Sequence, residues 1–225
     1  MRLVVGSAFR NSADRLAGYF NQVVALQAAM FPWEVRVVAA EGDSTDTTRE
    51  LLLNYSGVLA VTVLDAGHGG PVFGSTESPE RLRLMSTVGN RIFEAVEDDD
   101  DVLVYVESDL LWDPKTIKTL VLHACQRSLR FDIFAPFVMA GEAFYDTWGF
   151  RRNEERFSPF PPYHPALGED PICRVDSAGS CLVMRGEIAQ RCRIRNDYGL
   201  VGWCEDARRC GYKIGVVPAL RVRQT

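Results

Sequence analysis

The sequence has no hydrophobic run that approaches the roughly 18–20 apolar residues of a membrane span. Its beginning also lacks the charged, apolar and small-residue layout of a secretory signal peptide. Its six cysteines include no C-x-x-C pair, so neither a zinc site nor a disulfide framework is indicated. These absences predict a cytoplasmic protein whose thiols are reduced and mostly buried.

No internal repeat and no domain linker interrupts the 225 residues. With 47% hydrophobic and 24% charged residues, the composition is that of a soluble globular protein with one substantial core. We therefore expect a single domain spanning residues 1–225. Charge is uneven, because residues 185–225 hold nine Lys and Arg against four Asp and Glu in a chain of net charge −5. Such a basic stretch is either a solvated face or a phosphate-binding surface.

Short apolar runs alternate with segments of helical periodicity along the chain. The predicted strands are residues 3–5, 35–40, 58–64, 102–106, 133–137, 181–184, 213–217 and 220–222. The predicted helices are residues 11–27, 44–53, 81–96, 114–130 and 202–210, with another starting near 186. This alternation predicts an α/β fold with a mostly parallel central sheet flanked by helices.

The most informative stretch reads DVLVYVESDLLW and begins at Asp101. Its apolar, β-branched run predicts a buried strand that ends abruptly in Glu107, Ser108 and Asp109. Extended backbone lets Glu107 and Asp109 point the same way, and two such carboxylates at a strand end are costly without a cation. They could hold Mg²⁺ or Mn²⁺ at the sheet edge where α/β folds bind ligands. The alternative is a plain acidic turn.

Two further regions stand out. Residues 140–173 mix Pro, Gly, charge and many aromatics without periodicity, and a loop of this length is usually functional or disordered. We expect it to close as a lid over a bound ligand, with Tyr145 and Trp148 as stacking residues. The second region is Glu205 and Asp206 in a predicted first helical turn, where helix capping is the alternative to a catalytic role.

Four stretches, in this order, carry a resemblance: EGDSTDTT, VLVYVESDLLWDP, DSAGSCLVMRGE and GWCEDARRCGYKIGVVP. They resemble the nucleotide-binding turn, the metal motif, the acceptor-side turn and the base-bearing segment of GT-A glycosyltransferases, particularly the inverting family 2. There is also some resemblance to the fungal mannan-polymerase subunits. The similarity covers nearly the whole chain and implies a Rossmann-like GT-A fold.

The resemblance implies transfer of a sugar from a nucleoside-diphosphate sugar to an acceptor hydroxyl, with Mn²⁺ or Mg²⁺ held by Asp109 and Glu107. Asp206, rather than Glu205, would be the general base, and inversion follows if it lies opposite the leaving group. The implied donor-binding residues are Ser7, Arg10, Glu41, Asp43, Glu107, Ser108 and Asp109. The implied acceptor-side residues are Tyr145, Trp148, Asp176, Ala178, Gly179 and Trp203.

The sequence departs from the family pattern in two places. Where members commonly place a metal-binding His, this chain has Arg221 and Arg223, and an Arg could neutralise the diphosphate and weaken or replace the metal. The chain also stops at Thr225 without a C-terminal domain or anchor, which puts a polymerising role in doubt.

Two other functional classes remain open, as does the acceptor. A sugar-nucleotide-forming nucleotidyltransferase usually opens with a Gly-rich loop carrying a basic residue, and residues 6–10 match this poorly. A non-catalytic nucleotide-sugar-binding protein is the other, although retention of both acidic sites argues against it. The acceptor could be a glycan, a lipid-linked sugar, a protein, a small molecule or a hydroxymethylated base in DNA.

Overall fold

The computed structural model describes residues 1–57, 59–74, 77–195 and 198–225. Its strands are β1 (Arg2–Phe9), β2 (Glu34–Glu41), β3 (Ala60–Asp65), β4 (Val102–Val106), β5 (Leu110–Leu111), β6 (Ile133–Ala140), β7 (Ala143–Phe144), β8 (Arg151–Arg152), β9 (Glu155–Arg156), β10 (Cys173–Val175), β11 (Cys181–Arg185) and β12 (Ile214–Gln224). Its helices are α1 (Leu16–Met30), α2 (Thr48–Tyr55), α3 (Pro79–Glu94), α4 (Pro114–Cys125), α5 (Gly186–Arg191) and α6 (Gly199–Arg209).

The central sheet has the strand order β10-β12-β6-β11-β4-β1-β2-β3. Strands β4, β1, β2 and β3 are parallel neighbours, and β6 is parallel to β12. Strand β11 lies antiparallel between β4 and β6, so those two strands point the same way. The predicted α/β fold with a mostly parallel sheet is confirmed, and the carboxyl ends of β1, β2, β4 and β6 share one edge.

Helices cover the sheet in two groups, α1 with α2 and α4, and α3 with α5 and α6. All five residues of β4 are buried, as expected for a strand covered on both faces. The helix after it begins as predicted, with Pro114 in the first turn and the Asp113 side chain accepting from Lys115 N at 2.7 Å. The acidic turn after β4 is thereby fixed between a buried strand and a capped helix.

Several predicted boundaries were wrong. The helix from residue 114 ends at Cys125, and the two predicted last strands are one strand with a register shift between Val217 and Arg221. This shift brackets Pro218, which has no N–H to donate to a ladder. Helix α6 begins at Gly199, so Glu205 and Asp206 are not in its first turn. The predicted strand 58–64 starts outside the described residues, and β3 begins at Ala60.

The aromatic segment between β6 and β10 extends the main hydrophobic core. Its buried or half-buried rings are Phe144, Phe150, Phe157, Tyr163 and His164, which contact one another or Phe137 of β6. Most of these aromatics therefore stabilise the fold, and the lid remains a prediction that concerns only side chains left exposed. Across the described part of the chain, no helix is long and apolar enough to cross a membrane.

Candidate active site

A cavity of about 520 Å³ opens at the carboxyl ends of β1, β2 and β4. Its polar and charged lining comprises Arg10, Asn11, Ser12, Arg15, His68, Arg81, Tyr105, Glu107, Ser108, Asp109 and Tyr145. Its apolar wall includes Leu84, Met85 and Val88 of α3. Glu107, Ser108 and Asp109 also line the cavity, because they directly follow β4 at the ligand-binding edge of the sheet, as the sequence predicted.

Asp109 is held by the last strand. Gln224 Nε2 donates to Asp109 Oδ2 at 2.6 Å, and Thr225 N and Oγ1 donate to the Asp109 carbonyl oxygen at 3.1 and 3.0 Å. Two oxygens of this pair, Asp109 Oδ1 and Gln224 Oε1, are buried without a hydrogen-bond partner. Buried oxygens without donors are costly, and oxygen is the ligand that Mg²⁺ and Mn²⁺ prefer. The residues present therefore fit a divalent cation.

The sequence suggested Arg223 for this position, and the geometry selects its neighbour. In β12, Arg223 pairs with Leu111 and is exposed, whereas Gln224 pairs with Leu110 and directs its amide to Asp109. Successive strand residues point to opposite sides, so only one of the two can face the carboxylate. The role of Gln224 had no signal in the sequence, because it depends on the pairing of β12 with the short β5.

Glu107 belongs to a second cluster with Ser180 and Asp146. Glu107 N donates to the Ser180 carbonyl oxygen at 2.8 Å, and the Ser180 hydroxyl donates to Asp146 Oδ2 at 3.1 Å and also contacts the Glu107 side chain. Burial, followed by the nearby charges of Asp109 and Asp146, raises the pKa of Glu107 to about 8. Burial likewise raises the pKa of Asp146. Three carboxyl groups are thus crowded together, of which Glu107 and Asp109 line the cavity, and this setting favours a bound cation.

Asp146 was missed by sequence reasoning. Its carboxylate accepts from Gly149 N at 2.8 Å, and a Cβ at Gly149 or Gly179 would collide with its oxygens. Gly179, predicted on the acceptor side, therefore provides the space that Asp146 occupies. The Asp-x-x-Gly spacing in YDTWG is a turn signal that could have marked the residue, although it does not reveal the contact with Ser180.

Arg10 and Asp43 organise the loop that forms the far wall of the cavity. The Arg10 guanidinium donates to the carbonyl oxygens of Gly70 and Pro71 at 2.9 and 3.0 Å. Asp43 accepts from His68 N and Gly69 N at 3.0 and 3.2 Å, and the bond from His68 N is the main cause of its lowered pKa. Arg10 and Asp43, both predicted to bind the sugar donor, thus hold the loop, and Arg10 also lines the cavity itself.

Two other residues that were predicted to bind the sugar donor form hydrogen bonds inside the fold instead. Ser7 is buried, where its hydroxyl contacts Tyr19 and donates to the Val106 carbonyl oxygen. Glu41 is also buried, accepting from Ser44 N at 3.2 Å and from Arg49 Nη1 at 2.9 Å. Neither lines the cavity. Their bonds fix the ends of β1 and β2 instead, so direct contact with a nucleotide is not supported for either side chain.

The predicted acceptor residues are split between the surface and the core. Tyr145 lines the cavity, and 42% of its surface is exposed. Trp148 stacks on Tyr198 with 6.4 Å between the ring centroids. The Glu77 carboxylate accepts hydrogen bonds from both Trp148 and Arg156. The remaining positions contact other parts of the fold. Asp176 pairs with Arg208 at 3.1 Å, Ala178 is buried, and buried Trp203 stacks on Phe93. An acceptor contact by the Trp203 side chain is therefore contradicted by its burial.

Helix α6 carries Glu205 and Asp206, and neither lines the cavity. Cys204 Sγ faces the carbonyl oxygen of Ala178, in the turn between β10 and β11, so Asp206, roughly 200° further round the helix, faces away from that turn. The Asp206 carboxylate is buried, where it accepts from Arg193 N at 3.0 Å and pairs with Arg195 at 3.1 Å. Glu205 is half-exposed and pairs with Arg209. This placement argues against Asp206 as the base, and the assignment stays a prediction.

No protein-family model and no curated protein matches the chain. Solved structures do. A fragment of S. aureus TarS, residues 1–349, in complex with UDP-GlcNAc is 16% identical with a TM-score of 0.59, over 100% of this chain and 58% of that fragment. The mannosyltransferase PcManGT from Pyrobaculum calidifontis with GDP-Man and Mn²⁺ is 14% identical with a TM-score of 0.59, over 99% and 56% of the two chains. GalNAc-T7 with UDP, GalNAc and Mn²⁺ is 16% identical with a TM-score of 0.61, over 100% and 44%.

These similarities establish the fold. The chain has the GT-A fold that its four motifs implied, and it spans 44–58% of the length of the chains in these three structures. The further resemblance to fungal mannan-polymerase subunits stays a prediction. The fold alone does not determine the activity, the sugar donor or the metal.

Proposed function

We propose that the chain is a glycosyltransferase that moves a sugar from a nucleoside-diphosphate sugar to an acceptor hydroxyl. The observation that carries this proposal is the pair of buried, unpartnered oxygens of Asp109 and Gln224, placed at the ligand-binding edge of a GT-A fold. A UDP- or GDP-sugar is the proposed donor, because the similar structures contain UDP-GlcNAc, GDP-Man and UDP.

Asp109 would hold Mn²⁺ or Mg²⁺, with Gln224 and Glu107 as further oxygen ligands. When bound, such a cation would neutralise the charge that develops on the leaving diphosphate. The presence of Mn²⁺ in two of the similar structures supports this choice of ion. Arg15 and Arg81 also line the cavity and would attract the diphosphate by their charge.

The apolar wall of α3 and the loop held by Arg10 and Asp43 would enclose the nucleotide, while Tyr145 would lie towards the acceptor. Tyr145 directly follows β7 and lines the same cavity as Glu107, which supports a role for it near the sugar and the acceptor. Its aromatic face suits a sugar ring. The acceptor is a hydroxyl compound of the classes considered above, and a general base would take its proton, with inversion of the sugar.

Product analysis tests the proposal against the two alternatives. The full chain is incubated with UDP- and GDP-sugars and Mn²⁺, with water serving as the acceptor, and separately with nucleoside triphosphates and sugar phosphates. Free nucleoside diphosphate from the first reaction supports glycosyl transfer. Pyrophosphate from the second would instead indicate a nucleotidyltransferase, and donor binding without any product would indicate a binding protein.

A further inference from the structure

A second cavity, of about 400 Å³, lies at the opposite edge of the sheet. Phe131 and Lys213 line it, and these residues precede β6 and β12, whose carboxyl ends point towards the active-site edge. The rest of its lining comprises Arg130, Arg152, Ala166, Gly168, Asp170, Cys173 and Arg174. It shares no lining residue with the first cavity. The two are therefore separate sites.

The charge of this cavity is strongly one-sided. Four basic side chains, Arg130, Arg152, Arg174 and Lys213, line it together with a single carboxylate, Asp170. Asp170 pairs with Arg130 at 3.7 Å, and both side chains are largely exposed. Within the described ranges, the side chains of the other three form no hydrogen bond or ion pair. Grouping three such cations costs electrostatic free energy unless an anion joins them.

Arg152 supplies the most specific indication. Its Nε is buried and has no hydrogen-bond partner. A guanidinium donor removed from water without an acceptor is unfavourable, and the acceptor that matches its fork best is an oxyanion. Strands β8 and β10 are in contact, so Arg152 of β8 and Arg174 of β10 line the same part of the cavity.

We propose that this cavity is a second ligand site that binds a phosphate-bearing small molecule. Arg152 holds the phosphate through its guanidinium, and Lys213 and Arg174 balance its charge. The volume falls within the range of pockets that hold small organic ligands, so the ligand has room for a group beyond the phosphate. This site goes beyond the proposed glycosyl transfer and does not depend on it.

The test is calorimetric titration of the full chain with inorganic pyrophosphate in EDTA. Arg152→Gln should weaken binding at this site roughly tenfold or more, because a charge-assisted hydrogen bond is lost. Arg91→Gln removes the same charge from an exposed position on α3 and should have no effect. Arg15→Gln reports on the first cavity and should leave the binding event sensitive to Arg152 intact.

Pyrophosphate binding that is unchanged in Arg152→Gln and lost in Arg15→Gln would overturn the proposal, because all binding would then occur in the first cavity. Should Arg152→Gln fail to fold, as judged by circular dichroism, Lys213→Gln decides, since the Lys213 side chain is exposed and forms no hydrogen bond or ion pair with the residues that the structure describes. It should weaken pyrophosphate binding several-fold. Sulfate binding more tightly than phosphate would overturn the assignment of the ligand class.

Discussion

The side-chain amide of Gln224 donates to Asp109 Oδ2 at 2.6 Å and joins the last strand to the turn after β4. These residues are far apart in sequence, and the short ladder between β5 and β12 brings them together. The contact leaves one oxygen on each side chain buried and without a donor. The candidate metal site is thus assembled by the tertiary fold. Of its proposed ligands, only Glu107 and Asp109 are close together in the chain.

Replacement of this amide should weaken metal binding. Gln224→Leu keeps a similar volume but removes the hydrogen bond that orients Asp109 and the second oxygen. We expect apparent Mn²⁺ affinity to fall roughly 10- to 100-fold, as for other residues that support metal ligands. Titration of Mn²⁺ followed by electron paramagnetic resonance measures this directly. Gln27→Leu, at an exposed position of α1, is the matched control, and equal affinity in the two variants would remove Gln224 from the site.

Glu107 predicts a specific pH dependence in EDTA. Its pKa is raised from 4.5 to about 8 by burial, Asp109 and Asp146, so between these pH values the folded protein binds more protons than the unfolded chain. Stability should therefore be highest below about 4.5 for this group and fall as pH rises through about 8. Glu107→Gln should flatten this part of the profile in denaturant unfolding. A slope identical to that of the wild type would contradict the raised pKa.

The geometry of Asp206 predicts a structural effect. Asp206→Asn loses the charge that pairs with Arg195 but can still accept from Arg193 N. We expect a loss of about 1 kcal/mol, or roughly 2–4 °C in Tm, with transfer reduced less than tenfold. Donor-turnover kinetics and thermal unfolding measure the two effects. A 10²- to 10⁴-fold loss of rate at unchanged stability would instead identify Asp206 as the general base.

Trp148 should affect acceptor use more than donor binding. It is half-exposed, stacks on Tyr198 and contacts Arg151, and neither contact belongs to the buried core. Trp148→Ala should raise the acceptor KM or favour hydrolysis of the donor, with nucleotide affinity barely changed. Steady-state kinetics with nucleotide titration separates these effects.

Phe150→Ala is the control for the preceding prediction. Phe150 is fully buried in the same segment, and its truncation should cost about 3–5 kcal/mol of stability. If Trp148→Ala lost stability and nucleotide binding to a similar degree, Trp148 would be a packing residue and the lid would have no support.

The sequence predicted the parts of the molecule that depend on local pattern. Buried β-branched runs identified β4 and its neighbours, and the Asp113-Pro114 pair marked the start of α4. Because parallel strands share a carboxyl edge, the ESD turn could also be placed at the cavity in advance.

The rest depended on contacts between distant segments. The local sequence does not show whether Glu41 pairs with Arg49 or binds a ribose. It also does not show that Trp203 is a core residue stacked on Phe93. Asp146 and Gln224 joined the site only through the packing of Gly179 and the pairing of β12. The single motif that suggested a base, Glu205-Asp206, assumed a helix start three residues too late.

The most direct test is calorimetric binding of nucleoside diphosphates with and without Mn²⁺. We expect UDP or GDP to bind the wild type more tightly when Mn²⁺ is present, and Asp109→Ala to lose this Mn²⁺-dependent gain while remaining folded. Asp98→Ala, which removes an exposed carboxylate in the turn before β4, should retain the gain. Equal Mn²⁺-dependent affinity in Asp109→Ala and wild type, or no nucleotide binding by the wild type at all, would contradict the proposed donor site.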